Sequence, residues 1–474
     1  MTHAADFFFG GHMASLTFQD FERVTGEGEH GVAEFVTAAI ATHKNSDDYK
    51  LALIADDYDH QRNTTITNYS KTLYSMDGVK VEDFTASNNR LCSNFFNRLN
   101  TQRCLYSLGN GISFIDVDES GDDKTKEMLG KNIDHVVKEA GYYALIHGVS
   151  FLYWDTEQVH VFRLTEFVPL YDESTGELRA GIRWWQLSET KPMIAVLYEE
   201  DGLTRFKSGE NGLVEDKAKQ AYKETYEKVP FDGTEELVDE ENYGSIPIVP
   251  MYGSRLKQST IVGLRELIDA YDLIRSGFAN DLTDCAEIYW IVNNAGGMTD
   301  DDLTRFRDRL KLQHIATVDG TDGAGIVPYT QNIPYTARQA FLTEIRAGMY
   351  EDFGALDVHT IAASATNDHI DAAYQPLDEN AGDFESWVRK SIVQLLALMG
   401  VDDEPIFTRD RISNKMEQVE MVLSEAQYLD EETVLRKLPN LTTKEVAAVM
   451  ERRQEEDAQR LAMMQKTEET QVEV

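Results

Sequence analysis

The sequence predicts a multi-domain α+β protein, and three observations carry that expectation. At 474 residues with 42% apolar side chains, including 21 Phe and 21 Tyr, the chain can bury several cores. Apolar residues keep helical spacing up to about residue 110 and then change to the alternation of strands. Near the middle, two amphipathic helical stretches at about 260–282 and 334–356 enclose a small strand–helix–strand–strand module at 286–333. A helix that leaves a domain, hands over to a small module and comes straight back makes a protruding stalk.

Residues 17–110 read as mostly helical, with Val32, Phe35, Val36, Ala39 and Ile40 at three- and four-residue steps and a polar, Asn-rich run near 87–100. Ile112–Ile115 reads as a strand, Lys124–His147 as one helix and Ser150–Trp154 as a strand. Further strands are expected around 159–164, 179–187 and 193–199, with turns at Gly176 and at Asp201-Gly202. The Lys- and Glu-rich stretch 207–244 has little periodicity and reads as a solvated hairpin or excursion. Ile246-Pro247-Ile248-Val249-Pro250 closes it as an edge strand or linker, because proline cannot donate to a central ladder.

The first stalk helix sets Ile261, Leu264, Ile268, Tyr271, Ile274 and Phe278 on one face and Glu266, Asp269 and Asp272 on the other. The second repeats this with Phe341, Ile345, Met349 and Phe353 as the stripe, and Glu344, Glu351 and Asp352 elsewhere. Two ordinary amphipathic helices of a globular core would show the same pattern. Between them Ile288–Val292 reads as a strand, Asn293–Gly297 as a turn, Asp300–Leu312 as a helix and Ile315–Val318 as a strand, with Asp319-Gly320 turning into Gly325–Tyr329. A unit this small cannot bury a core alone, so association with neighbouring copies is expected.

Ala355–Asp371 is small and polar, with Thr360, Ala362, Ala363, Ser364, Ala365, Thr366 and Asn367, and only His359 and His369 could carry positive charge there. A long helix follows, with Leu377, Ala381, Phe384, Val388, Ile392, Leu395 and Met399 on one face and Gly400 as its C-cap. Pro376 is expected to restrict or kink its first turns. After Tyr428–Leu441, Thr442-Thr443-Lys444-Glu445 forms a capping box with Leu441 and Val446 placed as a staple. The charged continuation runs to about 465, and Lys466–Val474 is expected to fray.

Charge narrows the function. With 45 basic and 83 acidic side chains the formal charge is −38, which disfavours tight binding to phosphate backbones or anionic lipids. A halophile's acidic surface would give the same number. No stretch approaches the roughly 20 apolar residues of a membrane span, and Met1–Gly11, with Phe7-Phe8-Phe9, lacks the basic n-region of a secretory signal. Cys92, Cys104 and Cys285 form no CxxC pair and read as small buried hydrophobes in a reducing compartment.

Enzymatic signatures are missing. Gly130-Lys131-Asn132 has neither the glycine spacing nor the hydroxyl of a P-loop, no HExxH or GxSxG occurs, and the eleven histidines are scattered without ligand spacing. A metal-dependent nuclease would need a histidine or lysine partner for its acidic clusters. Asp116, Asp118, Ser120, Gly121 and Glu127 match the D-x-D-x-S-G-x5-E spacing of a calcium loop. The segment follows a strand, however, and Asp123 stands where such loops are apolar, so a solvated acidic turn explains it without metal. No cofactor is required; calcium or magnesium at this loop is the one metal expectation.

A family resemblance rests on Asp57-Tyr58, Asn89, Asn94, Phe95, Tyr106 and Gly109, then Ala144, Gly148, Tyr153 and Trp154, then the run SIPIVP. It continues with Leu267-Ile268-Asp269-Ala270-Tyr271-Asp272, Ser276, Asp430-Glu431-Glu432-Thr433, Leu435 and Leu438-Pro439. In this order they resemble the portal (connector) proteins of long-tailed double-stranded DNA bacteriophages, over nearly the whole chain. One departure is that the family often carries an Asn-x-Ser-Gly-x-Ala-Leu type of sequence before the long helix, where this chain reads SATNDHIDAAYQPL.

The resemblance implies a portal fold with a wing at 1–259, stem helices at 260–285 and 334–356, a clip at 286–333 and a tunnel loop at 357–372. The long helix and return to the wing would take 373–415, and a helical crown and tail 416–474. It implies a dodecameric ring at one capsid vertex of the virion, made in the host bacterial cytoplasm, through which double-stranded DNA passes without sequence specificity. Implied partners are the packaging terminase, the major capsid protein, the head–tail adaptor and a scaffold, with no membrane. His359, Thr360, Ser364, Thr366, Asn367 and His369 would line the DNA channel, and Glu266, Asp269, Asp272 and Glu344 would form an acidic stem face. Asp300, Asp301, Asp302 and Arg305 would face the motor and adaptor. The alternatives are another virion ring, such as a head–tail adaptor, which predicts a much shorter chain, and the nuclease.

Overall fold

The first described elements of the computed structural model are helices. It describes residues 16–25, 29–74, 78–83, 87–114, 124–209, 212–228, 235–284, 289–293, 299–302, 304–305, 325–329, 335–360 and 367–409, and scattered positions between 422 and 453. The opening helices are α1 (Phe18–Thr25), α2 (Glu29–Asn45), α3 (Asp47–Asp59) and α4 (Thr64–Thr67). Ser46 caps α3 through the Tyr49 amide, which is why α2 and α3 break where they do. The expectation of a helical start holds except for a short hairpin, β1 (Thr72–Tyr74) and β2 (Lys80–Glu82), ahead of α5 (Phe95–Leu108).

After β3 (Ile112–Phe114) the single helix expected over Lys124–His147 is two, α6 (Lys124–Met128) and α7 (Ile133–His147). Gly130 sits between them at φ +100°, a conformation that ends one helix and re-aims the chain into the next. The strands β4 (Val149–Trp154) and β5 (Val159–Arg163) follow, then a meander of β6 (Phe167–Tyr171), β7 (Leu178–Trp185), β8 (Ile194–Glu199), β9 (Gly202–Gly209) and β10 (Gly212–Gln220). β6 was not predicted because Pro169 interrupts its sequence; it is an edge strand of the sheet, where proline is tolerated. The described residues of 207–244 form the outer part of the β9–β10 pair and a second pair, β11 (Lys223–Lys228) with β12 (Glu235–Glu241). Among the described strands β13 (Ile248–Tyr252) pairs with β4 alone, at the sheet edge, one of the two readings that its prolines allowed.

Four layers result, and strand alternation sorts residues between them. On the five-stranded sheet, Val168, Leu170, Ala195 and Leu197 face Phe35, Val36, Ala39 and Ile40 of α2. The intervening Phe167, Val196 and Tyr198 face Phe151, Phe162 and Ile248 of the three-stranded sheet β13-β4-β5. That sheet turns Leu152, Trp154, Val249 and Met251 to the other side, against α7 and a long helix, α10 (Asn367–Leu398). Covered on both faces, β8 is almost continuously buried, as such strands must be. Six residues of the predicted stripe of the long helix, Leu377, Ala381, Phe384, Val388, Ile392 and Leu395, are at most 2% exposed, whereas Met399 lies just past the helix end and is partly buried against the same core; Gly400 follows at φ +73°. The helix runs through Pro376. β16 (Pro405–Phe407) then pairs with β3.

Cys104 is buried in this core, donates to the Lys138 carbonyl and is pushed up to about 12 by burial, so it packs as a small hydrophobe; Cys92 is only partly buried. Cys285, Phe7–Phe9 and the 442–445 capping box lie outside the described residues. Among those described, no helix is long and apolar enough to cross a membrane.

Candidate functional site

Two helices, α8 (Arg265–Asp284) and α9 (Tyr335–Phe353), leave and re-enter this layered body. Ile261 and Leu264 are buried as predicted but lie in turns before the helix, which starts at Arg265. Ile345, Met349, Tyr350 and Phe353 pack the base of the pair against Phe95, Phe96 and Leu99. Farther out, Arg338 pairs with Asp281, and the Phe278 and Tyr335 rings lie 5.7 Å apart. Phe341, expected in the buried stripe, is 45% exposed, because among the described residues α8 alone accompanies this half of α9. Beyond the pair, β14 (Tyr289–Asn293) and β15 (Gly325–Tyr329) form an antiparallel ribbon, and 300–302 with 304–305 are helical. The strand predicted at Ile315–Val318 lies outside the described residues.

The pair is fastened by a ladder in which a helix replaces a neighbouring strand. The backbone amides of Asn89, Leu91 and Ser93 donate in turn to Asn280 Oδ1, Ser276 Oγ and Asp272 Oδ1, at 2.5, 2.9 and 2.9 Å. Two residues of extended chain advance about 6.6 Å and four of helix about 6.0 Å, so every second amide meets every fourth side chain. Asn63 Nδ2 donates both to Asp272 and, at 3.1 Å, to the Ser93 carbonyl. Three residues earlier on the helix, Asp269 accepts from the Tyr58 hydroxyl and, at 2.7 Å, from Thr65.

This corrects the predicted acidic face. Asp272 is 0% exposed, and desolvation raises its pKa against the opposing pull of Asn63 and Ser93. Asp269 is likewise committed to the first helices, whereas Glu266 and Glu344 are exposed.

The returning helix ends in a clamp at the foot of the predicted loop. Arg103, 7% exposed, donates from Nη2 to the Phe353 carbonyl and lies 4.0 Å over the Phe353 ring. Burial brings its pKa down to about 10, with the Asp383 charge acting in the other direction. Gln102 reads the backbone of Leu356 in both directions, donating to its carbonyl at 2.9 Å and accepting from its amide at 3.0 Å. Arg346 then holds both carboxylate oxygens of Asp357 at 2.8 and 2.9 Å, and Asp357 accepts from the His359 amide at 3.1 Å. A cavity of about 90 Å3 remains here, lined by Arg98, Gln102, Tyr350, Leu356, Asp357 and His359 among others.

On the far side the Tyr106 and Tyr374 rings stack at 5.7 Å and the Tyr106 hydroxyl donates to Asp378 at 2.7 Å. Arg409 bridges Asp378 and Glu385, which hold its pKa above the ordinary range, Glu385 more strongly.

The loop predicted over 357–372 is therefore shorter, since 358–360 form a 3-10 turn and α10 begins at Asn367. His359 is exposed at the foot, and His369 stands on the first turns of α10. Ser364 and Thr366 lie outside the described residues, as do the side chains of Thr360 and Asn367. Asp302 accepts from the Thr299 amide and hydroxyl at 3.1 and 2.7 Å, so it starts the short helical segment, while Asp300, Asp301 and Arg305 are exposed. Of the calcium-loop residues, Asp116, Asp118 and Ser120 lie outside the described residues and Glu127 is exposed on α6. Sequence reasoning missed Asn63, Gln102, Arg103, Arg346 and Arg409. Polar residues at every fourth position of α8, beside an Asn-rich extended run, were the available signal for the ladder.

A family model described as phage portal protein, SPP1 Gp6-like, matches residues 40–461. The chain belongs to this portal family. The portal protein of Clostridium phage phiCD119 is 25% identical, the match covering 74% of this chain and 82% of that protein. The portal protein of Bacillus phage SPP1 is 22% identical, with 74% and 73% covered. A solved structure of the neck of an empty GTA particle is 10% identical, covers 74% of this chain and 91% of its own, and has a TM-score of 0.43, too low to argue from.

As a portal protein the chain is a component of the phage virion, and portal proteins of this family are structural parts of the particle. Several residues on which the portal resemblance was read, Tyr58, Asn89, Phe95, Asp269, Asp272 and Ser276, meet at the junction between α8 and the first helices.

Proposed function

We propose that this portal protein works as a dodecameric ring around a hole for double-stranded DNA, with α8 and α9 as its stem. The observation that carries the reading is the ladder from Asn89–Ser93 to Asn280–Asp272, which sets a helix pair rigidly on the layered body while the outer half of α9 stays exposed. The β14–β15 ribbon and the helical segment beyond it serve as the clip, offering Asp300, Asp301 and Arg305 to the terminase and later to the head–tail adaptor. The constriction is assigned to the loop expected over 357–372, ahead of and into the first turns of α10.

Chemistry supports a conduit. DNA has to enter during packaging and leave at infection, so each phosphate contact must be weak. A chain of −38 with no Lys or Arg over 355–371 repels the duplex, where a basic hole would hold it by counterion release. Passage involves no base readout.

Imaging of the purified full chain tests the reading: a holed ring with a protruding stem is expected, and a compact monomer both in solution and in the particle would overturn it. The loop has its own test. Ser364→Arg combined with Thr366→Arg adds two cations per subunit, and DNA packaging is expected to slow several-fold at low ionic strength and recover as salt rises. Packaging rates equal to wild type at every salt concentration would remove the loop from the DNA path.

A further inference from the structure

We propose that one flank of the α8–α9 pair, carrying Leu273 and Gly277 on α8 and Phe341 and Gly348 on α9, is the seat for the opposite flank of the next copy of this chain. The proposal rests on the ring reading above and names the residues that close it. Glycine inside a helix weakens it relative to alanine, and one reason to keep it there is a neighbour that comes close. Gly141 in α7 shows such a neighbour within the chain: a Cβ there would lie 2.8 Å from Leu108 and 2.9 Å from Phe384. Gly277 and Gly348 are mid-helix without positive φ, and no described atom lies within 4 Å of a Cβ built on either. No described contact of this chain accounts for these two glycines.

Exposed apolar side chains stand beside both. Leu273, 41% exposed, is one turn before Gly277, and Phe341, 45% exposed, is two turns before Gly348 on the same stripe. Phe95 covers one side of the pair through the Tyr271 and Tyr350 rings. At about 100° per residue Gly348 is opposite Tyr350 and Gly277 is about a third of a turn from Tyr271, so both glycines fall on the uncovered side.

Charge selects the occupant. Glu344 and Asp352 lie one turn either side of Gly348 and are exposed, and Glu266 shares the Gly277 flank; such a rim rejects a phosphate backbone. Arg275, two residues from Gly277 and so about 200° around α8, is exposed on the opposite flank with Leu282, 54% exposed. A second copy therefore brings a cation to Glu344 and Asp352 and an apolar side chain to the dents. Because the two flanks differ, the contact runs head to tail, the kind that closes into a ring.

Sedimentation velocity and negative-stain imaging of full-length Gly277→Leu, Gly348→Leu and Leu282→Ser test this. Each variant is expected to need at least tenfold more protein to form rings, while the thermal midpoint of the dissociated glycine variants does not fall, since leucine favours the helix. Leu282→Ser changes an exposed side chain and leaves folding intact. Wild-type rings together with variant rings at unchanged concentration would overturn the contact alone. A wild-type chain that stays monomeric at every concentration would overturn the ring, and this contact with it.

Discussion

Asp272→Ala is expected to lower the free energy of unfolding by about 3 kcal/mol, because it orphans two donors in a site without water access. The Ser93 amide loses its acceptor, and Asn63 Nδ2 keeps only the Ser93 carbonyl. Asp272→Asn keeps the shape and one acceptor oxygen, and should cost about 1 kcal/mol. Urea unfolding of the three proteins measures this; an alanine variant as stable as wild type would mean that the ladder does not hold the helix pair.

The same carboxylate sets a pH dependence. Desolvation raises the Asp272 pKa in the folded chain, so the folded state binds a proton at a pH where the unfolded state has released it. Stability therefore falls as pH rises from the ordinary carboxylate range through the raised value, and above it the full penalty of a buried charge is present. Relative to Asp272→Asn, which does not titrate, wild type should gain stability as pH is lowered through that window. A difference that stays flat with pH would place the carboxylate in a solvated setting.

Arg103→Ala is expected to cost about 3 kcal/mol through the lost donor to Phe353, the lost ring contact and the void left by a buried side chain. Arg103→Lys should recover little, since an ammonium cannot lie flat on the Phe353 ring while reaching the carbonyl. The effect should spread to the loop foot. Hydrogen exchange at the Leu356 amide, which Gln102 holds beside the clamp, should quicken in both variants, and protection unchanged from wild type would separate the clamp from the loop.

Much of the scaffold was legible because apolar periodicity reports local geometry directly. The long helix shows it: six residues at three- and four-step spacing, Leu377 to Leu395, are buried. The prolines of SIPIVP likewise announced an edge strand, since a missing donor has the same consequence in any fold. Errors came where burial depends on distant chain. Phe341 has an apolar side chain at core spacing, yet its half of the helix lies beyond the described residues that cover the base of the pair. Asp269 and Asp272 are acidic and were assigned to an open face, yet their partners come from Tyr58, Asn63, Thr65 and Ser93, some two hundred residues earlier.

The α+β class, the helix–module–helix excursion, the acidic charge and the lack of Lys and Arg over 355–371 all follow from residue type and spacing along one stretch of chain. Which polar groups are buried, where the loop ends, and the clamp of Gln102 and Arg103 at its foot emerge from packing between distant segments. The physical reason is that a buried polar group is stable only with a partner, and a partner far along the chain leaves no trace in local periodicity.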